Sequence, residues 1–172
     1  MRTQAIILKK IPIGEHDELI ICYTKDAGKQ VYQAKSILRR TSKQASQLDI
    51  LNFVDFSLVR GKNHQIITSA YVLNVFAKLK ASLPAMTVAY FLLESFDKLI
   101  FEGEPDSRLW DFLCSKLQEL DQSSNGGYDH ISAINLLRDD LLTTLGYDAS
   151  HSIEDLASAQ FKSLQFAKKV LR

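Results

Sequence analysis

Lys35, Arg39, Arg40 and Lys43 fall within nine residues, interleaved with the hydroxyls of Ser36, Thr41 and Ser42. Cations at that density suit a phosphate backbone, because each Lys or Arg that neutralises a phosphate releases condensed counterions. Lys9 and Lys10 end an apolar run, and Arg60 and Lys62 flank Gly61, so predicted strand ends add to the same charge. The same residues also suit a loop whose only task is to keep a small domain dissolved, and both readings stand at this level. Aromatic rings could add stacking on bases. Phe53 and Phe56 read as core, whereas Tyr23 and Tyr32 suit either role.

Groups that would serve catalysis do not converge. His16, His64, His130 and His151 sit in predicted turns or at element ends, as surface residues, and no pair has the spacing of a shared metal site. Asp139 and Asp140 are adjacent, hence about 100° apart on a helix, and do not face each other as an acid–base pair. No glycine-rich phosphate loop and no nucleophile motif occurs. Cys22 and Cys114 lie far apart and read as buried, reduced thiols. The expectation is a protein without catalysis, metal or cofactor.

The elements that must position the cations follow from composition and pattern. The 172 residues are 46% hydrophobic and 24% charged, with a net charge of +1. That length suits one domain or two small ones, and the apolar content excludes overall disorder. No apolar run reaches the ~18 residues of a membrane helix, and Ala5 to Leu8 is too short for a secretory signal. A cytoplasmic protein without membrane contact is expected. Charge is uneven: residues 1–80 hold 13 Lys and Arg against 6 Asp and Glu, a balance of +7, while residues 81–172 hold 8 against 14, a balance of −6. This predicts a basic part for polyanions joined to an acidic body.

Period-two alternation predicts strands at Thr3–Ile11, Asp17–Thr24, Lys29–Ser36, Phe53–Arg60 and His64–Ala70. Apolar residues on both faces of the second strand point to a closed barrel or to a strand covered on both sides. Lys25 to Gly28 and Gly61 to Asn63 read as turns, and Ile37 to Gln47 as a polar, basic connection. Five short strands fit a small barrel such as the OB-fold. Helical spacing then predicts Tyr71–Ala81, a helix from Pro84 to about Phe101 stopped by Glu102 to Pro105, and a third helix capped by Asp106. A polar loop at Gln122 to Gly127 follows, then Asp129–Leu145 with Gly146 as its C-cap. A last helix opens at Ser152, with Asp155 three residues on, and runs to Val170. The predicted class is α+β: an OB-fold over residues 1–78 followed by an all-helical domain over 79–172.

The ordered motifs resemble the RecO family of bacterial recombination mediators. They are Thr3-Gln4-Ala5-Ile6-Ile7-Leu8-Lys9, Gly14-Glu15-His16-Asp17-Glu18-Leu19-Ile20, Tyr23-Thr24-Lys25-Asp26-Ala27-Gly28-Lys29, and Ala34-Lys35-Ser36 with Arg39-Arg40. Val59-Arg60-Gly61, Glu102-Gly103-Glu104-Pro105 and Leu141-Leu142-Thr143-Thr144-Leu145-Gly146-Tyr147 continue them. The resemblance covers about residues 1–147. It implies binding of single- and double-stranded DNA, annealing of complementary strands, and work with RecR and single-stranded-DNA-binding protein to help RecA load at gaps, in the bacterial cytoplasm at the nucleoid. By position, Lys35, Arg39 and Arg40 match the family's basic stretch. Lys43, Lys9, Lys10, Arg60 and Lys62 rest on charge and predicted location alone. Many members carry a four-cysteine zinc site after the Leu-Gly-Tyr landmark. Here Asp148 to Asp155 holds no cysteine, so no zinc is expected, and members are usually longer than this chain. The residues by themselves leave open an RNA-binding barrel or a protein-interaction adaptor.

Overall fold

The computed structural model describes residues 1–123, 129–148, 151–158 and 160–170. The chain folds as two compact units, Met1–Val75 with Ile100–Asp106, and Phe76–Leu99 with Ser107–Arg172. The first is a barrel of β1 (Arg2–Ile13), β2 (Asp17–Thr24), β3 (Gly28–Ala34), β4 (Phe53–Val59) and β5 (Ile66–Asn74). Its strands close in the order β1-β2-β3-β5-β4. β1 is long enough to pair twice, with β4 through Arg2–Ile6 and with β2 through Ala5–Ile13. The register slips between Ile7 and Lys9, a bulge of the kind that lets one strand bend around a barrel. Closure is a single parallel step, Gln33 opposite Ile66. This is the five-stranded OB-fold barrel that the alternation predicts.

One face of every strand fills the interior. Ala5, Ile7, Ile20, Cys22, Tyr32, Ala34, Val54, Phe56, Leu58, Ile67 and Ala70 form one buried cluster, joined by Ile37 and Leu48 of the β3–β4 connection. Tyr32 meets Phe56 edge to face, with ring centroids 5.5 Å apart. The two-sided pattern of β2 is also realised, since Ile21 and Tyr23 on its other face are buried.

Part of that cover comes from far along the chain. Ile100–Asp106 lies against β3 as a strap: Gly103 donates its amide to the Lys29 carbonyl at 3.0 Å. The Lys29 ammonium donates to the Ile100 carbonyl at 3.1 Å, and the Tyr23 hydroxyl to the Asp106 carbonyl at 3.3 Å. At Gly28, φ is +65° and a Cβ would stand 2.2 Å from the Glu104 carbonyl oxygen, so glycine alone fits there. The strap also corrects the charge picture. It brings three carboxylates to the barrel unit, which then holds 11 Lys and Arg against 9 Asp and Glu, a balance of +2. The helical unit holds 10 against 11, a balance of −1. The contrast of +7 and −6 between chain halves is therefore not carried by the folded units.

The helical unit contains α1 (Ala77–Ala81), α2 (Leu83–Leu99), α3 (Ser107–Ser123), α4 (His130–Thr144), α5 (Ile153–Ala157) and α6 (Lys162–Val170). Four readings of the sequence change here. The helix expected from Tyr71 is strand as far as Asn74, because Val72 and Asn74 pair with Val54 and Phe53, and Phe76 at φ 51° breaks the chain before α1. α3 continues through Ser123, so the predicted loop at Gln122 begins later, and its residues 124–127 lie outside those described. The single last helix is two, divided at Ser158 with φ 47°. Ser152 makes no cap bond and donates instead to the Glu154 carboxylate at 2.9 Å.

Two helix starts are capped by distant carboxylates. Asp121 of α3 accepts from the Leu79 amide of α1 at 2.8 Å. Glu94 of α2 accepts from the Lys162 and Ser163 amides of α6 at 2.9 and 3.0 Å, and from the Ser163 hydroxyl at 2.7 Å. Asp129, by contrast, caps α4 locally, accepting from the Ile131 amide at 3.1 Å.

Candidate nucleic-acid interface

The β3–β4 connection, residues 35–52, is irregular in backbone yet tied down along its length. Asp17 at the start of β2 accepts from the Ser36 amide at 2.7 Å and from the Gln33 side chain at 3.0 Å, holding Ser36 at φ 56°. The Leu38 amide donates to the His16 carbonyl at 3.0 Å. Gln44 donates to the Thr68 carbonyl at 2.9 Å, and Gln47 accepts from the Val72 amide at 2.9 Å. Two side-chain amides thus serve backbone groups of β5. Buried Asn52 donates to the carbonyls of Ser46 and Gln47, each at 3.0 Å. Ile37 and Leu48 anchor the ends in the core.

This scaffold holds Lys35, Arg39, Arg40 and Lys43 outward, all four exposed. Arg60 and Lys62 are exposed in the β4–β5 turn, which is bonded to β3 where the Gln33 amide donates to the Gln65 carbonyl at 2.9 Å. Among the described residues none of these six side chains forms an ion pair, so each keeps its charge available. The structure therefore presents one group of four on the connection and one of two on the turn. Lys9 is exposed on β1, opposite Ile21. Lys10 stands apart. Its register partner is Ile20, a core residue, which puts it on the interior side of the sheet. There its ammonium lies 3.5 Å from buried Glu18 and 4.0 Å from Asp49.

The rings open to a stacking role are not available for it. Tyr23 is 0% exposed and Tyr32 2%, and burial pushes both hydroxyls above the ordinary tyrosine range, so they stay neutral. Phe56 is core, as expected, while Phe53 is half-buried. The exposed aromatic of the barrel strands is Tyr71, at 64%, which the sequence reading had placed on a helix. Alternation through Ala70, Tyr71 and Val72 was the signal that could have found it.

Other chemistry is sparse. Cys22 is buried and Cys114 half-buried rather than fully enclosed, and neither is in a disulfide. Burial raises the Cys22 thiol far above its usual range, which makes it inert. His16, His64 and His151 are exposed, but His130 is half-buried. His151 sits 2.9 Å from Asp148. Among the described residues no group of three or more His, Cys, Asp or Glu is placed to hold a metal ion, and no helix is long and apolar enough to cross a membrane.

A closed β1-β2-β3-β5-β4 barrel with unpaired cations on its loops defines a protein of the OB-fold class. Residues 1–76 match the family described as Recombination protein O N terminal. The chain is 32% identical over 123 residues to the DNA repair protein RecO of Dehalococcoides mccartyi, covering 72% of this chain and 49% of that protein. It is 26% identical over 147 residues to the DNA repair protein RecO of Acetivibrio thermocellus, covering 86% and 57%. The RecO of Thermoanaerobacter sp. is 27% identical over 147 residues, covering 86% and 58%. The chain belongs to the RecO family, and it spans about half the length of the curated relatives it matches.

Proposed function

We propose that this chain is a non-enzymatic DNA-binding part of recombinational repair. It binds single- and double-stranded DNA through Lys35, Arg39, Arg40 and Lys43, with Arg60 and Lys62 extending the contact. The observation that carries the reading is the availability of these six cations on loops whose backbones are held in place. Preordered loops lose little conformational freedom on binding. Annealing then needs no bond chemistry, because neutralising two phosphate backbones lowers their repulsion. RecR, single-stranded-DNA-binding protein and, indirectly, RecA are the partners this reading carries, in the bacterial cytoplasm at the nucleoid. A RecO-family barrel and relatives named as DNA repair proteins support it.

The test is fluorescence anisotropy of labelled oligonucleotides across a salt series. Four phosphate contacts on a single strand give a log–log slope near −3, at about −0.7 per contact. Reversing charge with Arg39→Glu and Arg40→Glu should make that slope shallower by about 1.4 and weaken all sequences alike. No binding at low salt overturns direct DNA contact, and a sequence-selective loss contradicts recognition of backbone alone.

A further inference from the structure

We propose that the outer face of β4 and β5 is a stacking platform for the bases of single-stranded DNA, with Tyr71 at its centre. The inference rests on the DNA-binding reading above and adds to it a second kind of contact, to bases rather than phosphates. Along this face the register places Val59 opposite Ile66, Ser57 opposite Ser69 and Asp55 opposite Tyr71. Tyr71 is 64% exposed, Val59 49% and Leu73 48%. One exposed apolar side chain on a surface needs no explanation. Here an aromatic and two aliphatics share one sheet face, with the small Ser57–Ser69 pair between Val59 and Tyr71.

Charge selects the occupant. Asp55 is the carboxylate paired beside Tyr71, and the Arg2 guanidinium donates to it at 2.6 Å, so it does not repel a polyanion unopposed. Arg60 and Lys62 lie in the turn joining these same two strands, exposed and without an ion pair among the described residues. An aromatic ring with cations at the end of its own hairpin is the arrangement that holds a single strand, base on ring and phosphate on cation. A duplex, whose bases already stack on one another, cannot use the ring. Tyr23 and Tyr32 are buried, which leaves Tyr71 as the barrel tyrosine that a base can reach.

The experiment compares the full chain with Tyr71→Ala and Tyr71→Phe on three probes: a thymidine oligonucleotide, an abasic oligonucleotide of equal length, and a duplex. Tyr71→Ala should weaken the thymidine strand about tenfold, leaving the abasic strand, the duplex and the salt slope as in the parent. Tyr71→Phe, which keeps the ring, should bind as the parent does. A parent that binds none of the probes overturns the DNA reading and the platform together. A parent that binds all three, with Tyr71→Ala equally tight on thymidine or equally weakened on abasic and base-bearing strands, overturns the platform alone. A self-associating parent that Tyr71→Ala converts to monomer with DNA affinity unchanged gives the face to a second copy and overturns the platform too.

Discussion

The outer face of β2–β3 and the outer face of β4–β5 start from similar patterns and end in opposite states. β2 places Leu19, Ile21 and Tyr23 on its outer side, and β5 places Tyr71 and Leu73 on the corresponding side. Each is a tyrosine on a strand with aliphatic residues at alternate positions. Yet Tyr23 is 0% exposed and Tyr71 64%. On the first face a strap from residues 100–106 takes up the Tyr23 hydroxyl and both polar ends of Lys29. On the second face Asp55 and Arg2 pair at the surface and the ring stays open. Alternation reports that a strand has an apolar side; it does not report whether something distant in the chain covers that side.

The comparison can be broken most severely at Gly28. Gly28→Ala sets a Cβ against the Glu104 backbone at a position whose φ is +65°. Stability should fall by about 3 kcal/mol, from backbone strain together with displacement of the strap. Urea unfolding measures the loss, and faster hydrogen exchange at the Gly103 amide would localise it. The same substitution should leave the exposure of Tyr71 unchanged.

A gentler break is Lys29→Met, which keeps the aliphatic stem and removes the ammonium that donates to the Ile100 carbonyl. A buried charge-assisted hydrogen bond contributes about 2 kcal/mol, and leaving that carbonyl unpaired accounts for much of the expected loss. Proteolysis within residues 100–106 should quicken in this variant. If stability and cleavage both match the parent, the strap is not held by Lys29.

The smallest effect sharpens the lesson outside the barrel, where a distant residue again completes a local element. Burial alone would raise the Glu94 carboxyl, but hydrogen bonds from Ser163 and Lys162, with Lys98 beside it, hold it below the usual carboxylate range. Its folded value thus lies below its unfolded one. The stability it contributes is present above the unfolded value and is lost as pH falls through the folded value. Glu94→Ala should cost about 1 kcal/mol at neutral pH, as loss of a helix cap does, and should flatten the acid limb of a stability–pH profile. An unchanged acid limb would assign the cap no energetic role.

Much of the barrel and of its charged loops was legible in the chain itself. The double-sided pattern of Asp17–Thr24 called for cover on each face, which the barrel interior supplies on one side and the strap on the other. The basic run from Lys35 to Lys43 stood out by composition, and its four cations are exposed while Ile37 between them is buried. Lys10 was less legible: a lysine at a strand end looks the same whether it faces solvent or Glu18, and parity with Ile20 only emerges once Leu8 is seen as a bulge. Tyr71 was misread because residues 70–79 satisfy two periods at once. Leu73, Phe76 and Leu79 follow helical steps, while Ala70 and Val72 alternate with Tyr71 and Leu73 as in a strand. Pairing with β4 decided between them, and pairing is a property of two segments.

What the sequence determined by itself is therefore what local physics controls: strand and helix periods, turn chemistry at Gly28 and Gly61, and the cations between β3 and β4. What the tertiary structure alone decided is what depends on partners remote in the chain. The strap over β3, the caps at Leu79 and Lys162 supplied by Asp121 and Glu94, and the open face around Tyr71 belong to that set. The physical reason is that burial and hydrogen-bond satisfaction are met by whichever group arrives, and residues 71 or 83 positions away leave no periodic mark on the segment they complete.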